Sequence, residues 1–321
     1  MNVNYEMKSE NSLILYKKKK RAHTVKLMKK NSALYVFLIP AVVYLLIFAY
    51  APMYGVQIAF RDYTFANGIL GSKWVGMKWF ELFFNSPLFL RVISNTIIIS
   101  LYSLIAGFPI PIFLAILLNN IPSLKFKRLV QTASYLPHFI SVVVIVGMLS
   151  SFLSMDSGFL SKLIESIGVK PAYYMGQPGY FRHLYVWSGV WQGAGWGSII
   201  YLAALTSVSP ELHEAAMIDG ASRIRRIWHI DIPSILPTMV IMLILRSGSI
   251  MSVGFEKVYL MQNDLVLSVG EVISTYTYKM GIIGQKYSYS SAIGLFNNII
   301  NFVFLTIVNN ISRKLTDTSL W

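Results

Sequence analysis

Long apolar stretches dominate this chain, and none of them alternates apolar and polar residues as the strands of a membrane barrel do. A helix needs roughly 20 apolar residues to cross a hydrocarbon core about 30 Å thick. Six stretches are long enough, and they cover residues 33–60, 92–118, 129–152, 184–208, 235–255 and 290–311. The pattern predicts an all-α, polytopic membrane protein with six transmembrane helices.

The composition supports a membrane protein and removes several kinds of chemistry. Only 13% of the 321 residues are charged, which is about half of the fraction in soluble domains. There is no Cys, so disulfides and thiolate ligands are excluded. The five His are scattered without metal-binding spacing, and no phosphate-binding GxxxxGK[ST] motif occurs. These observations disfavour an enzyme such as a polytopic membrane glycosyltransferase.

The distribution of Lys and Arg predicts the orientation of the chain. Nine of the 28 lie before residue 33, and others lie in the segments 119–128 and 209–234 and after residue 311. Because basic residues near the ends of spans favour the cytosol, we expect a basic cytoplasmic tail at 1–32 and a cytoplasmic C-terminal tail at 312–321. The basic run at 17–21 is interpreted as a topology anchor that meets anionic lipid, so no nucleic-acid partner is expected.

The segment 209–234, between the fourth and fifth predicted spans, carries the signals of two short helices. Ser209 and Pro210 are typical of a helix start. Gly220 is a natural helix end, because glycine accepts a left-handed conformation. A second helix is expected from about Ser222. The residues leave two interpretations open: a compact element that contacts another protein, or an interfacial amphipathic helix that only seals the bundle.

The same segment resembles a known family. The residues that carry the resemblance are Glu214-Ala215-Ala216, then Gly220 after three residues, then Ile230-x-Ile232-Pro233 after nine more. This spacing resembles the EAA loop of binding-protein-dependent ABC importer permeases, with Ile232 in place of the family's Leu. Residues 246–260, 291–297 and 319–321 are similar to permeases of the lipo-oligosaccharide or alginate-importer type. The resemblance covers nearly the whole chain beyond about residue 33.

The resemblance implies a type I importer permease of the bacterial cytoplasmic membrane, which imports oligosaccharides, including acidic ones such as alginate fragments. The implied partners are a second, non-identical permease, two cytoplasmic ATPase subunits that bind ATP and Mg²⁺, and an extracytoplasmic solute-binding protein. The chain itself is expected to hold no cofactor or metal and no catalytic residue. The implied ATPase-coupling residues are Glu214, Ala215, Ala216, Asp219 and Gly220. An ATP-independent channel or secondary transporter is the alternative.

Candidate residues for a substrate path lie in the last three predicted spans. Arg246 is expected to face the interior, because a charge inside the membrane costs at least about 2.5–3.5 kcal/mol. It meets either an anionic substrate or a structural partner. Trp187, Trp191 and Gln192 form either a sugar-binding platform or part of an interfacial aromatic belt and helix packing. Asn297 either lines the path or hydrogen-bonds between helices.

Overall fold

The computed structural model describes residues 26–27, 30–155, 157–166, 168, 172–316 and 319–320. The chain divides into two compact units, Met1–Gln57 and Ile58–Trp321. The predicted basic tail at 1–32 lies largely outside the described residues. In the first unit, α1 (Ser32–Leu45) continues through the π-helical turn Leu46–Tyr50 into α2 (Ala51–Met53). This helical run lies where the first span is predicted.

A small antiparallel sheet opens the second unit. Strand β1 (Arg61–Asp62) pairs with β2 (Lys73–Trp74), with Arg61 opposite Trp74. Helix α3 (Gly68–Gly71) lies between the strands, and α4 (Lys78–Phe84) follows them. The Trp79 indole nitrogen donates to the Arg61 carbonyl oxygen at 2.9 Å, which joins α4 to the sheet.

The rest of the second unit is helical. The helices are α5 (Phe89–Gly107), α6 (Pro109–Asn119), α7 (Leu124–Tyr135), α8 (Val142–Phe152), α9 (Phe159–Ser166), α10 (Pro178–Thr206), α11 (Pro210–Ile218), α12 (Arg223–Arg226), α13 (Ile232–Ser247), α14 (Phe255–Met261), α15 (Leu267–Gly270), α16 (Ile273–Tyr278) and α17 (Tyr287–Thr316). Short 3₁₀ turns occupy Tyr54–Phe60, Leu136–Phe139 and Tyr174–Gly176, and π-helical turns occupy Ile227–Asp231 and Lys279–Ile283. Among the described residues, the architecture is all-α apart from the small sheet.

The structure does not show six equal membrane-spanning helices among the described residues. Among the described residues, four helices are long and apolar enough to cross a membrane, or five if one bent pair is counted as a span. The four are Ser32–Phe60, Phe89–Asn119, Arg223–Ser247 and Tyr287–Lys314. Helix α10 is outside that count, although its 29 residues cover most of the predicted span at 184–208. Its glutamine, glycines and tryptophans make it less apolar than the others.

The predicted single span at 129–152 is broken. The segments Leu124–Phe139 and Val142–Phe152 meet at an angle of 99°. Pro137 lies in the 3₁₀ turn that ends the first segment, and Ile140 is extended. The Ser141 hydroxyl then accepts a hydrogen bond from the Val144 amide and caps the second segment. A proline and a serine cap therefore produce a bend that the apolar pattern conceals.

The predicted span at 235–255 also ends early. Helix α13 stops at Ser247, and a non-helical stretch leads to α14. Asn301 of α17 holds this stretch: its Oδ1 accepts from the Met251 amide at 2.8 Å, and its Nδ2 donates to Ser252 Oγ at 3.1 Å. An amide side chain inside the bundle thus satisfies one backbone amide that the helix no longer pairs and also binds the Ser252 hydroxyl.

Candidate functional site: an exposed coupling segment and a basic cavity

The segment between α10 and α13 folds as a helix–turn–helix, as its sequence predicts. At the end of α11, Gly220 adopts a φ of +75°. The Ala221 amide donates to the Ala216 carbonyl at 2.8 Å, and the Gly220 amide donates to the Met217 carbonyl at 3.1 Å. This pair of bonds is the Schellman arrangement that ends helices. The Ser222 hydroxyl then accepts from the Arg225 amide and begins α12.

The five predicted coupling residues lie on an accessible surface of this segment. Glu214, Ala215, Asp219 and Gly220 are exposed, and Ala216 is half-buried. Ile218 beside them is 87% exposed. A polar and apolar surface with small alanine side chains permits close approach by another protein. The structure therefore keeps these residues available for a contact, which is what a coupling role requires.

Arg246 lies in the last turn of α13 and lines two adjacent cavities. One cavity has a volume of about 170 Å³ and the other about 250 Å³. Ser103 of α5 and Tyr185 of α10 line both of them. The guanidinium lies over Gly107, where an added Cβ would be 3.5 Å from Nη1. Arg246 is nevertheless exposed in this chain, so its interior position stays a prediction.

Lys257 of α14 is a second cation at the larger cavity. The residue is only 8% exposed, and its Nζ donates to the Tyr185 carbonyl at 2.9 Å while lying 5.0 Å from the centre of the Tyr185 ring. Gly189 leaves room for the ammonium group, since an added Cβ there would be 3.3 Å from Nζ. Sequence reasoning missed Lys257 because it placed this residue beyond the end of a continuous fifth span.

The charge of this region is positive. Arg246 and Lys257 both line the larger cavity, together with polar groups such as Gln192. No Asp or Glu is among the described residues that line either cavity. An interior surface with two cations and no carboxylate attracts anions, because the low dielectric strengthens the interaction.

The structure separates the residues of the predicted sugar platform. Gln192 lines the basic cavity and donates from Nε2 to the Ile140 carbonyl at 2.9 Å. Trp187 and Trp191 are about half exposed and line a different, apolar depression of about 390 Å³ together with residues of α8. They are four residues apart on one helical face, whereas Gln192 is turned about 100° from Trp191. The tryptophans and the glutamine therefore do not form one platform in this chain.

Asn297 of α17 is half-buried and lies outside the lining of the two basic cavities. Its Oδ1 is buried and has no hydrogen-bond partner among the described residues. Asn301, one helical turn further on, makes the contacts that shape the cavity wall. A role for Asn297 in the path stays a prediction.

Polar cavities inside an apolar helical bundle suit a membrane transport protein, because polar and charged groups are costly in lipid unless they serve an interior path. Comparison with known proteins agrees with this class. Residues 107–317 match the family described as the binding-protein-dependent transport system inner membrane component. The chain belongs to this family. It is an integral membrane transport permease and not an enzyme.

Individual relatives extend the match to almost the whole chain. Protein LplB of Bacillus subtilis (strain 168) is 42% identical over 294 residues, which cover 92% of each chain. The polygalacturonan/rhamnogalacturonan transport system permease protein YteP of the same organism is 39% identical, with 96% of each chain covered. A chain in the crystal structure of a bacterial alginate ABC transporter, in complex with an alginate pentasaccharide-bound periplasmic protein, matches with a TM-score of 0.85 and 39% identity. That match covers 92% of this chain and 99% of the other.

Proposed function

We propose that this chain is the pore-forming permease subunit of an ATP-driven importer of acidic oligosaccharides. The observation that carries the proposal is the cavity that Arg246 and Lys257 share without a carboxylate. Carboxylates on a uronate oligosaccharide would replace water as partners of these cations. Two relatives support the substrate class, since one is named for polygalacturonan and rhamnogalacturonan and the other for alginate.

The proposal includes the partners that such a transporter needs. A second permease completes the pore, two cytoplasmic ATPase subunits bind ATP and Mg²⁺, and an extracytoplasmic solute-binding protein delivers the ligand. This chain holds no cofactor of its own. The exposed residues Glu214, Ala215, Asp219 and Gly220, together with the half-buried Ala216, contact an ATPase subunit, and the N- and C-termini lie in the cytoplasm.

The experiment is uptake by the complete transporter in liposomes, with ATP enclosed on the ATPase side. Labelled uronate oligosaccharides are compared with neutral oligosaccharides of the same length. We expect uptake of the acidic series, dependent on ATP and on the binding protein. Equal uptake without ATP would indicate a channel or secondary transporter, and a preference for the neutral series would refute the assigned substrate class.

A further inference from the structure

Helix α11 carries the proposed coupling residues but is not held by apolar packing. None of its residues is buried. An element that passes a movement from an ATPase to the spans needs a rigid attachment to those spans. The question is therefore which contact fixes α11, and it is independent of which residues face the ATPase.

The described contact joins a histidine of α11 to a buried carboxylate at the start of α13, and it is an ion pair when the imidazole is protonated. His213 Nε2 lies 3.3 Å from Asp231 Oδ1. Asp231 is 2% exposed and is the last residue of the π-helical turn Ile227–Asp231, which runs directly into α13. In the part of the chain that the structure describes, this is the only ion pair that involves α11.

A third group strengthens this contact. Arg226, which ends α12, attracts the Asp231 carboxylate electrostatically. Its Nε is buried and has no hydrogen-bond partner among the described residues. The buried carboxylate therefore contacts α11 through His213 and lies at the base of α13, within the electrostatic influence of Arg226. Removing the charge would leave the arginine without its compensating partner.

We propose that Asp231, in contact with His213, is the positioning residue that fixes the coupling helix to the fifth span. This inference rests on the proposed coupling of the chain to ATPase subunits. Asp231 does not touch the ATPase or the substrate; it acts by holding α11 at one angle to α13. Without it, movement of α11 would be lost as rocking of the helix and would not reach the cavity at Arg246.

The test is Asp231→Asn in the complete transporter, since this change removes the charge and keeps the shape. Glu211→Gln is the matched control, because it removes an exposed carboxylate from α11, the helix that Asp231 contacts through His213. We expect Asp231→Asn to lower the amount of substrate transported per ATP hydrolysed by about 2- to 30-fold. The control should retain the wild-type ratio. His213→Gln should act in the same direction, and the double variant should be no worse than the more affected single variant.

Helix rigidity gives a second measurement that a folding defect would not imitate. The chain has no Cys, so spin labels can be placed only at Met217→Cys and Ile241→Cys within this subunit, with the partner subunits made cysteine-free. Asp231→Asn should broaden the distance distribution between the labels in the assembled complex, and Glu211→Gln should leave it narrow. An unchanged distribution together with an unchanged transport ratio would overturn the inference.

The two proposals fail in different ways. If the wild-type complex shows no ATP-dependent uptake, the proposed function is wrong. If the wild type transports normally and Asp231→Asn couples as well as wild type does, only the positioning role is wrong. Additive losses in the double variant would show that His213 and Asp231 do not act through one another, and would also refute it.

Discussion

Arg246 and Lys257 are charged residues in an otherwise apolar helical bundle, and placing them there costs free energy. Each charge inside a membrane costs at least about 2.5–3.5 kcal/mol on insertion scales. The C-terminal end of α13 compensates Arg246 in part, because helix carbonyls favour a cation there. The Tyr185 carbonyl and ring do the same for Lys257. Neither partner neutralises the charge, so both cations can still attract an anion in the cavity.

Neutralising either cation should therefore affect uptake more than assembly. We expect Arg246→Ala to lower the uptake of uronate oligosaccharides by about 10- to 100-fold, because the variant loses one charge-assisted hydrogen bond to the substrate. Lys257→Met should change uptake in the same direction. Arg246→Lys keeps the charge and should retain much of the activity. The measurement is uptake normalised to the amount of complex recovered by size-exclusion chromatography. Full uptake by assembled Arg246→Ala would assign the residue to a structural role only.

Sequence reasoning could identify one of these cations and not the other, for a physical reason. Arg246 is a charge inside an apolar run, and that signal does not depend on where a helix ends. Lys257 lies in α14, which is separated from α13 by a non-helical stretch that begins after Ser247. Asn301, which is 50 residues from Met251 in sequence, accepts a hydrogen bond from the Met251 amide in this stretch. A single sequence without the fold contains no sign of this contact.

At the scale of elements, the sequence predicted structure best where residues close in sequence determine the backbone conformation. The helix–turn–helix is present as expected: Pro210 begins α11, Gly220 ends it and Ser222 caps α12, although Ser209 makes no side-chain capping hydrogen bond. The predictions of continuous helices at 129–152 and 235–255 were too simple. The apolar pattern conceals the Pro137 turn and the Ser141 cap in the first span, and it conceals the end of α13 at Ser247 in the second. Trp187, Trp191 and Gln192 are close in sequence, which suggested one shared platform. The helix instead places the two tryptophans on one face and Gln192 on another.

The turn after α11 offers a test at this scale. Gly220 has a φ of +75°, a conformation that costs other residues about 1–2 kcal/mol. Proline cannot adopt it, and it would also remove the amide that bonds to the Met217 carbonyl. Gly220→Pro should therefore uncouple ATP hydrolysis from transport while the protein still inserts into the membrane.

Two comparisons make the Gly220 result specific. Gly220→Asn tolerates the left-handed conformation and should retain most of the coupling. The readout is the stimulation of ATPase activity by the loaded solute-binding protein in liposomes. Normal stimulation in the assembled Gly220→Pro variant would mean that the angle between α11 and α12 does not matter for coupling.

At the scale of the whole molecule, the proposed coupling requires one orientation of the bundle in the membrane. Of the net charge of +14, residues 1–32 carry +7 and residues 119–128 carry +3, whereas the segment 209–234 carries −1. An ATPase can reach α11 only if the segment 209–234 lies on the cytoplasmic side. The β1–β2 region lies between the first and second predicted spans, three spans before the segment 209–234. It must then lie outside.

Single cysteines can test this orientation cleanly, because the chain has none of its own. Ile218→Cys and Phe65→Cys use side chains that are 87% and 72% exposed. In intact cells whose outer barrier is permeable to small reagents, a membrane-impermeant maleimide should label Phe65→Cys and not Ile218→Cys. Disrupting the cytoplasmic membrane should make Ile218→Cys reactive. Labelling of Ile218→Cys in intact cells would place α11 where no ATPase could bind it, and the proposed coupling would fail together with the role of Asp231.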